Sequence, residues 1–207
     1  MLRAGPDGRW TVFLDRDGTI NRKAPEGDYV RSPEALDLLD GAAVAIARLR
    51  SAGARVVVVT NQRGVALGRM SLADLERVHQ WLHRELAAAG AEVDAIYSCP
   101  HDLDACDCRK PGPGLFLQAV DQDPSIDLGA SAMVGDSSSD IQAGARFGMV
   151  TVLLKDPPQV PDGWAVRPHH VARALDDAVD WLLARAPEVR SIAPGSPEPR
   201  GRDGVAK

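Results

Sequence analysis

The sequence predicts an α/β fold: one doubly wound, mostly parallel sheet with helices on both faces and no separate cap domain. Three observations carry this. Arg55 to Val59 is a β-branched run without polar alternation, the pattern of a strand buried on both faces. Strand-length apolar segments alternate along the chain with segments of helical period, which implies βαβ units. The 207 residues are 44% hydrophobic and 26% charged, an ordinary globular makeup that supports one core.

The elements follow in order. Trp10 to Leu14 is a short apolar strand, and Asp40 to Ser51 is an amphipathic helix closed by Gly53. After the Arg55–Val59 strand, Ser71 to Ala88 reads as a helix. Ser71 is its N-cap, and Leu72, Leu75, Val78, Leu82 and Leu86 form its apolar stripe. Val93 to Tyr97 is a third strand, Gly114 to Val120 a helix and Ala132 to Val134 a fourth strand. Ser138 to Phe147 is a helix, Met149 to Leu154 a fifth strand, and Val171 to Leu183 a closing helix. One domain is expected over residues 1–185. Residues 186–207 hold four prolines, several glycines and no aromatic residue, and are expected to be a disordered tail.

The net charge of −5 argues against a nucleic-acid partner, which needs a basic footprint. No apolar run is long enough to span a bilayer, and the N-terminal residues lack an apolar signal core, so a cytoplasmic protein without membrane partners is expected. Three cysteines within ten residues are no disulfide framework.

In a doubly wound sheet, ligands sit beyond the carboxyl ends of the strands. The first strand runs into Asp15-Arg16-Asp17-Gly18-Thr19. Residues two apart share a side, so Asp15 and Asp17 face one pocket while Arg16 points away. Two carboxylates that close call for a cation or a proton. The second strand runs into Thr60-Asn61-Gln62, a hydroxyl with free amides that suits a phosphate. The fourth runs into Gly135-Asp136, with Asp140 one turn into the next helix, and Lys110 enters from a loop. Each piece has a plain alternative: a solvated turn at Asp15–Gly18, a turn at Thr60-Asn61, a helix cap at Asp136 or a nearby serine, a surface lysine at Lys110. In combination the pieces weigh more than each does alone: three strand ends supply a carboxylate pair, a hydroxyl with amides and a further carboxylate, and a loop supplies a lysine.

The four together, in this order, resemble the haloacid dehalogenase-like phosphotransferase superfamily, over the chain from about Trp10 to Leu183. The resemblance implies a magnesium-dependent enzyme with Asp15 as nucleophile and Asp17 as general acid and base. It implies Mg²⁺ on the carboxylates of Asp15 and Asp136 and the backbone carbonyl of Asp17. Thr60 and Lys110 would hold the phosphoryl oxygens, and Asp140 would orient Lys110 or a metal-bound water. Asn61, Gln62, Arg63 and Arg109 are the expected substrate contacts.

Cys99, His101, Cys106 and Cys108 form a C-x-H-x4-C-x-C pattern, which suits a closed tetrahedral Zn²⁺ site. His79 and His83 lie four apart on a helix. Without a glutamate at position 80 they lack the zinc-protease pattern and read as helix-surface residues. The Cys-Pro-His and Cys-x-Cys-Arg-Lys-Pro segments resemble a narrower branch, the D-glycero-D-manno-heptose-1,7-bisphosphate 7-phosphatases and the related histidinol-phosphate phosphatases. This implies a small phosphorylated sugar as substrate, with histidinol phosphate the alternative. From another class, a catalytically silent zinc-stabilised binding module competes; the intact Asp15, Asp17, Lys110 and Asp136 argue against it. About 45 residues separate Asp15 from Thr60 and about 50 separate Thr60 from Lys110, too few for a cap domain; a monomer is expected. Arg63, Leu67 and Ser137, and a longer stretch from Lys23 to Tyr29, depart from the branch near where a substrate tail would rest.

Overall fold

The computed structural model describes residues 2–186. Apart from Ala186, the expected tail lies outside the described residues. Six parallel strands form one sheet in the order β3-β2-β1-β4-β5-β6. They are β1 (Trp10–Leu14), β2 (Ala54–Asn61), β3 (Ala95–Cys99), β4 (Ala132–Gly135), β5 (Val150–Leu154) and β6 (His170–Ala172). Five helices connect or close them: α1 (Ala42–Ser51), α2 (Leu72–Ala88), α3 (Gly114–Gln122), α4 (Ser138–Arg146) and α5 (Leu175–Leu183).

The β-branched run behaves as its composition requires. Val56 and Val58 enter the core under α1, α2 and α5, while Val57 and Val59 enter the opposite core with Phe116 of α3 and Ala143 of α4. A strand covered on both faces has no polar side, hence the unbroken apolar sequence. Strand order reverses between β1 and β4, which are hydrogen-bonded neighbours. That switch point opens a crevice at the carboxyl ends of both. No domain is inserted between these elements among the described residues, and no helix there is long and apolar enough to cross a membrane.

Two elements and one apolar position depart most from expectation. The third strand is shifted to Ala95–Cys99, because Asp94 is used in a turn: its N–H donates to Val56 O and its carboxylate accepts from Val56 N–H. Cys99 thus ends a strand instead of following one. The closing helix starts at Leu175, and the residues before it form the sixth strand, which pairs with β5 from Val152↔His170 to Leu154↔Ala172. A three-residue edge strand is too short to show a period; pairing with β5 defines it. In α2, Ser71 does cap the helix, its hydroxyl accepting from Asp74 N–H, but Leu72 is 61% exposed and lies off the buried stripe.

His79 corrects the surface reading. It is buried on α2, in line with Leu75, Leu82 and Leu86. Burial, reinforced by the nearby Arg16 charge, pushes its pKa down from 6.5 to about 3. A histidine held neutral in the fold binds its proton only on unfolding. Its stabilising contribution is therefore complete above about pH 6.5 and is lost as pH falls toward 3. We expect unfolding free energy to drop by about 2 kcal/mol through this residue between about pH 7 and about pH 5. Urea unfolding of wild type and His79→Gln at both pH values checks this; equal acid sensitivity of the two proteins would refute it.

Candidate active site and metal-ligand cluster

Three neighbouring strands deliver the polar groups to one crevice. Thr60 lies at the end of β2, Asp15 follows β1, and Asp136 follows β4. Asp15 N–H donates to Val134 O at 3.0 Å, which fixes Asp15 beside β4. Lys110 reaches in from the loop before α3. Its Nζ lies 2.9 Å from Asp15 Oδ1 and 2.6 Å from Asp140 Oδ1, and it donates to Val59 O at 2.6 Å. Asp140 is fully buried in the first turn of α4, where its Oδ2 accepts from Ser137 N–H and Oγ. Gly135 is required here, since a Cβ would overlap the Asp140 carboxyl group.

The electrostatics follow from this packing. Burial pushes the Asp15 pKa up to about 7, against the pull of Lys110 and with the push of Asp140. Burial also opposes the charge on Lys110, but Asp140 and Asp15 outweigh it and raise the ammonium above its usual range. Asp136 is raised, first by burial, with Lys23 acting against the rise. Its Oδ2 lies 2.6 Å from Lys23 Nζ, while its buried Oδ1 has no hydrogen-bond partner among the described residues. Carboxylate oxygens of Asp15, Asp136 and Asp140 lie within 4.8 Å of one another. An all-oxygen donor set with a buried unsatisfied oxygen fits a hard divalent cation.

Asp17 is held differently. Arg16 does not point away; it is fully buried and its guanidinium grips the Asp17 carboxylate, with Nη2 2.9 Å from both oxygens. Asn21 Nδ2 (2.9 Å) and Gln62 Nε2 (2.7 Å) donate to the same carboxylate. Burial works to raise the Asp17 pKa, yet Arg16, Asn21 and Gln62 together hold it below the usual carboxylate range. Alternation along a strand gives the direction of Cβ but not where a long arginine side chain ends, so the sequence did not reveal the Arg16 grip.

Two of the residues expected at the substrate brace the scaffold of the site. Gln62 is fully buried and its amide bridges Asp17 and Thr60 Oγ1. Asn61 accepts from Lys110 N–H at 2.9 Å and donates to Lys110 O at 3.1 Å, clamping the backbone that carries the lysine. Arg63 is half-buried and donates from Nε to Asp102 Oδ1 at 2.5 Å, which ties the segment after β2 to the cysteine loop. Arg109 adjoins this pair, and its buried Nη1 has no partner among the described residues.

Cys99, His101, Cys106 and Cys108 converge at the end of β3. Sγ of Cys99 is 3.5 Å from Cys106 Sγ and 3.7 Å from His101 Nδ1; His101 Nδ1 is 3.1 Å from Cys108 Sγ, and the Cys106–Cys108 sulfurs are 3.2 Å apart. A zinc–sulfur bond of ~2.3 Å gives a tetrahedral edge of about 3.8 Å, close to this spacing. Burial acts to raise all three thiols. For Cys106, hydrogen bonds from Cys108 and neighbouring amides overcome it and bring the pKa to about 6, while Cys99 and Cys108 stay raised. Four soft donors around one point, one of them an easily formed thiolate, could hold a metal ion.

Comparison with known proteins agrees with this architecture. Residues 107–178 match a family described as HAD-hydrolase-like. The chain is 38% identical over 180 residues to the D-glycero-beta-D-manno-heptose-1,7-bisphosphate 7-phosphatase of Escherichia coli O6:H1, covering 83% of this chain and 87% of that one. It is 44% identical over 135 residues to the D-glycero-alpha-D-manno-heptose-1,7-bisphosphate 7-phosphatase of Mycobacterium tuberculosis, covering 65% and 70%. The crystal structure of D,D-heptose 1,7-bisphosphate phosphatase from B. bronchiseptica, complexed with magnesium and phosphate, superposes with a TM-score of 0.73 at 36% identity. That match covers 85% of this chain and 99% of the other. With the strand-end carboxylates, the buried lysine and the cysteine–histidine loop all present, the chain belongs to the haloacid dehalogenase-like phosphatases, in the branch of the D-glycero-manno-heptose-1,7-bisphosphate 7-phosphatases.

Proposed function

We propose that this protein removes the 7-phosphate of D-glycero-D-manno-heptose 1,7-bisphosphate through an aspartyl-phosphate intermediate on Asp15. The observation that carries the reading is the buried Asp15–Lys110–Asp140 cluster beside the unsatisfied Asp136 oxygen, supported by relatives named for that reaction. Asp15 attacks phosphorus, and the bond to the sugar oxygen breaks as Asp17 gives that oxygen a proton. Arg16, Asn21 and Gln62 hold the Asp17 pKa below the usual carboxylate range in the resting site. Like-charge repulsion from the arriving phosphate dianion raises it, and Asp17 then takes from solvent the proton that it gives to the sugar oxygen. Asp17 then takes a proton from the water that hydrolyses the aspartyl phosphate. Lys110 and the Thr60 hydroxyl hold the phosphoryl oxygens while charge redistributes. Asp15, Asp136 and the Asp17 backbone carbonyl would hold Mg²⁺, whose charge would let an anionic nucleophile meet an anionic phosphate.

Zn²⁺ is the metal that suits the Cys99–His101–Cys106–Cys108 cluster, and its part is to fix the loop that carries Arg109 and Lys110. Purified protein is expected to hold one zinc per chain by elemental analysis, retained after magnesium is removed; zinc-free protein from metal-replete growth would refute the assignment.

Phosphate release with Mg²⁺, measured for the α and β anomers of the bisphosphate, a heptose monophosphate and histidinol phosphate, tests the function. The bisphosphate is expected to give the highest kcat/KM. Preference for histidinol phosphate would move the protein to that activity, and no release from any of them would sink the reading.

A further inference from the structure

The site holds a cation that the reaction as described does not use. Lys23 lies eight residues beyond Asp15, at the start of an exposed loop, yet its ammonium sits 2.6 Å from Asp136 Oδ2. The turn before it is fixed, because Arg16 O accepts the N–H groups of Thr19, Ile20 and Asn21, and Asn21 is fully buried. The far end is fixed as well, by Tyr29 lying against Gly64. Gly18, at φ +85°, gives Lys23 its path: a Cβ there would overlap Asp136 Oδ2 and stand 2.7 Å from Lys23 Cε. The lysine also lines a cavity of about 270 Å³ bounded by Asp17, Asn61 and Tyr29, so it faces the space beside the general acid.

We propose that Lys23 is a second cation of the phosphate site, one that opposes Mg²⁺ at Asp136 and strengthens binding of the phosphate dianion once the metal is in place. The inference rests on the phosphatase reading above. Its physical basis is the local charge balance. Asp17 is neutralised by Arg16, leaving Asp15, Asp136 and Asp140 facing Lys110 and Lys23. With all three ionised, as metal binding requires, three carboxylates against two ammonium groups leave one net negative charge. A divalent cation turns that into one positive charge, which attracts a dianion. Without Lys23 the empty site would carry two negative charges, and the metal-loaded site would be neutral. Lys23 therefore acts with opposite sign on the two ligands. It lies within about a Debye length (8–10 Å) of the reacting phosphate, too close for salt to screen its charge fully.

Lys23 is half-exposed and Asp136 nearly buried, with side-chain exposures of 52% and 18%. Replacing the lysine therefore removes a charge without opening the core. The test compares wild type, Lys23→Met and Lys23→Arg by titration calorimetry. Mg²⁺ alone is titrated into chelator-treated enzyme, and inorganic phosphate into Mg²⁺-saturated enzyme. Lys23→Met is expected to bind Mg²⁺ more tightly and phosphate more weakly, each on the order of tenfold, as a unit charge at this range gives. Lys23→Arg, which keeps the charge, should stay near wild type in both. Weakening of both ligands would mean that Lys23 only holds Asp136 in place, and unchanged affinities would make it an ordinary surface ion pair; either result overturns the proposal. If the wild type takes up no Mg²⁺, the phosphatase reading falls first and this inference with it. If wild type binds both ligands and the Met variant matches it, the inference alone fails.

Discussion

Asp15→Asn is expected to lower turnover by at least about three orders of magnitude, since an amide is a poor nucleophile and the covalent intermediate cannot form. The fold should survive. Lys110 keeps Asp140 at 2.6 Å and its bond to Val59 O, and one push on the Asp140 carboxylate is removed. The decisive measurement is a single-turnover experiment, quenched in acid and read by intact mass. Wild type should show a transient phosphorylated species, and the Asn variant should show none while melting near the wild-type temperature. Retention of most activity by the variant would mean that water, and not Asp15, attacks phosphorus.

Lys110→Met carries the second large effect, on both activity and stability. Lys110 is 3% exposed and its ammonium pairs with two carboxylates, one of them fully buried. Removing one partner from such a cluster leaves unpaired buried charge, which typically costs about 3–5 kcal/mol. In a domain of this size that lowers the melting temperature by roughly 6–20 °C. The loss should be measured in chelator, so that no metal ion replaces the missing charge. Adding Asp140→Asn to Lys110→Met should recover part of the stability and none of the activity. Those outcomes would separate the two duties of the lysine, holding the fold of the site and holding the phosphoryl oxygens. Unchanged stability of the single variant would show that the cluster is not an energetically coupled unit.

The ends of the strands were legible because strand chemistry is strongly patterned. A both-faced strand needs an unbroken apolar run, and the polar residue that ends the run must lie at the sheet's edge, in the crevice. That rule placed Asp15, Thr60 and Asp136 at strand ends, their combination with Lys110 singled them out, and crowding marked the cysteine–histidine loop. The apolar stripe of α2 also held a readable sign that went unused: His79 stands four residues after Leu75 and three before Leu82, on the buried face. A titratable side chain on such a face is buried whatever its usual preference, if its neighbours on the stripe are.

Taken alone, the sequence determined the fold class, the residue types at each strand end and the four donors of the cysteine loop, because these depend on local period and spacing. Tertiary structure decided which of those groups meet. That Gln62 and Asn61 brace Asp17 and Lys110 depends on how β2 sits against β1 and the loop before α3. That Arg16 turns back onto its neighbour, and that Lys23 crosses Gly18 to reach Asp136, depends on long flexible side chains finding charge across the switch point of the sheet. A one-dimensional pattern fixes which way a Cβ leaves the backbone. Where a charge several bonds farther on comes to rest is set by the lowest electrostatic energy available in the assembled crevice.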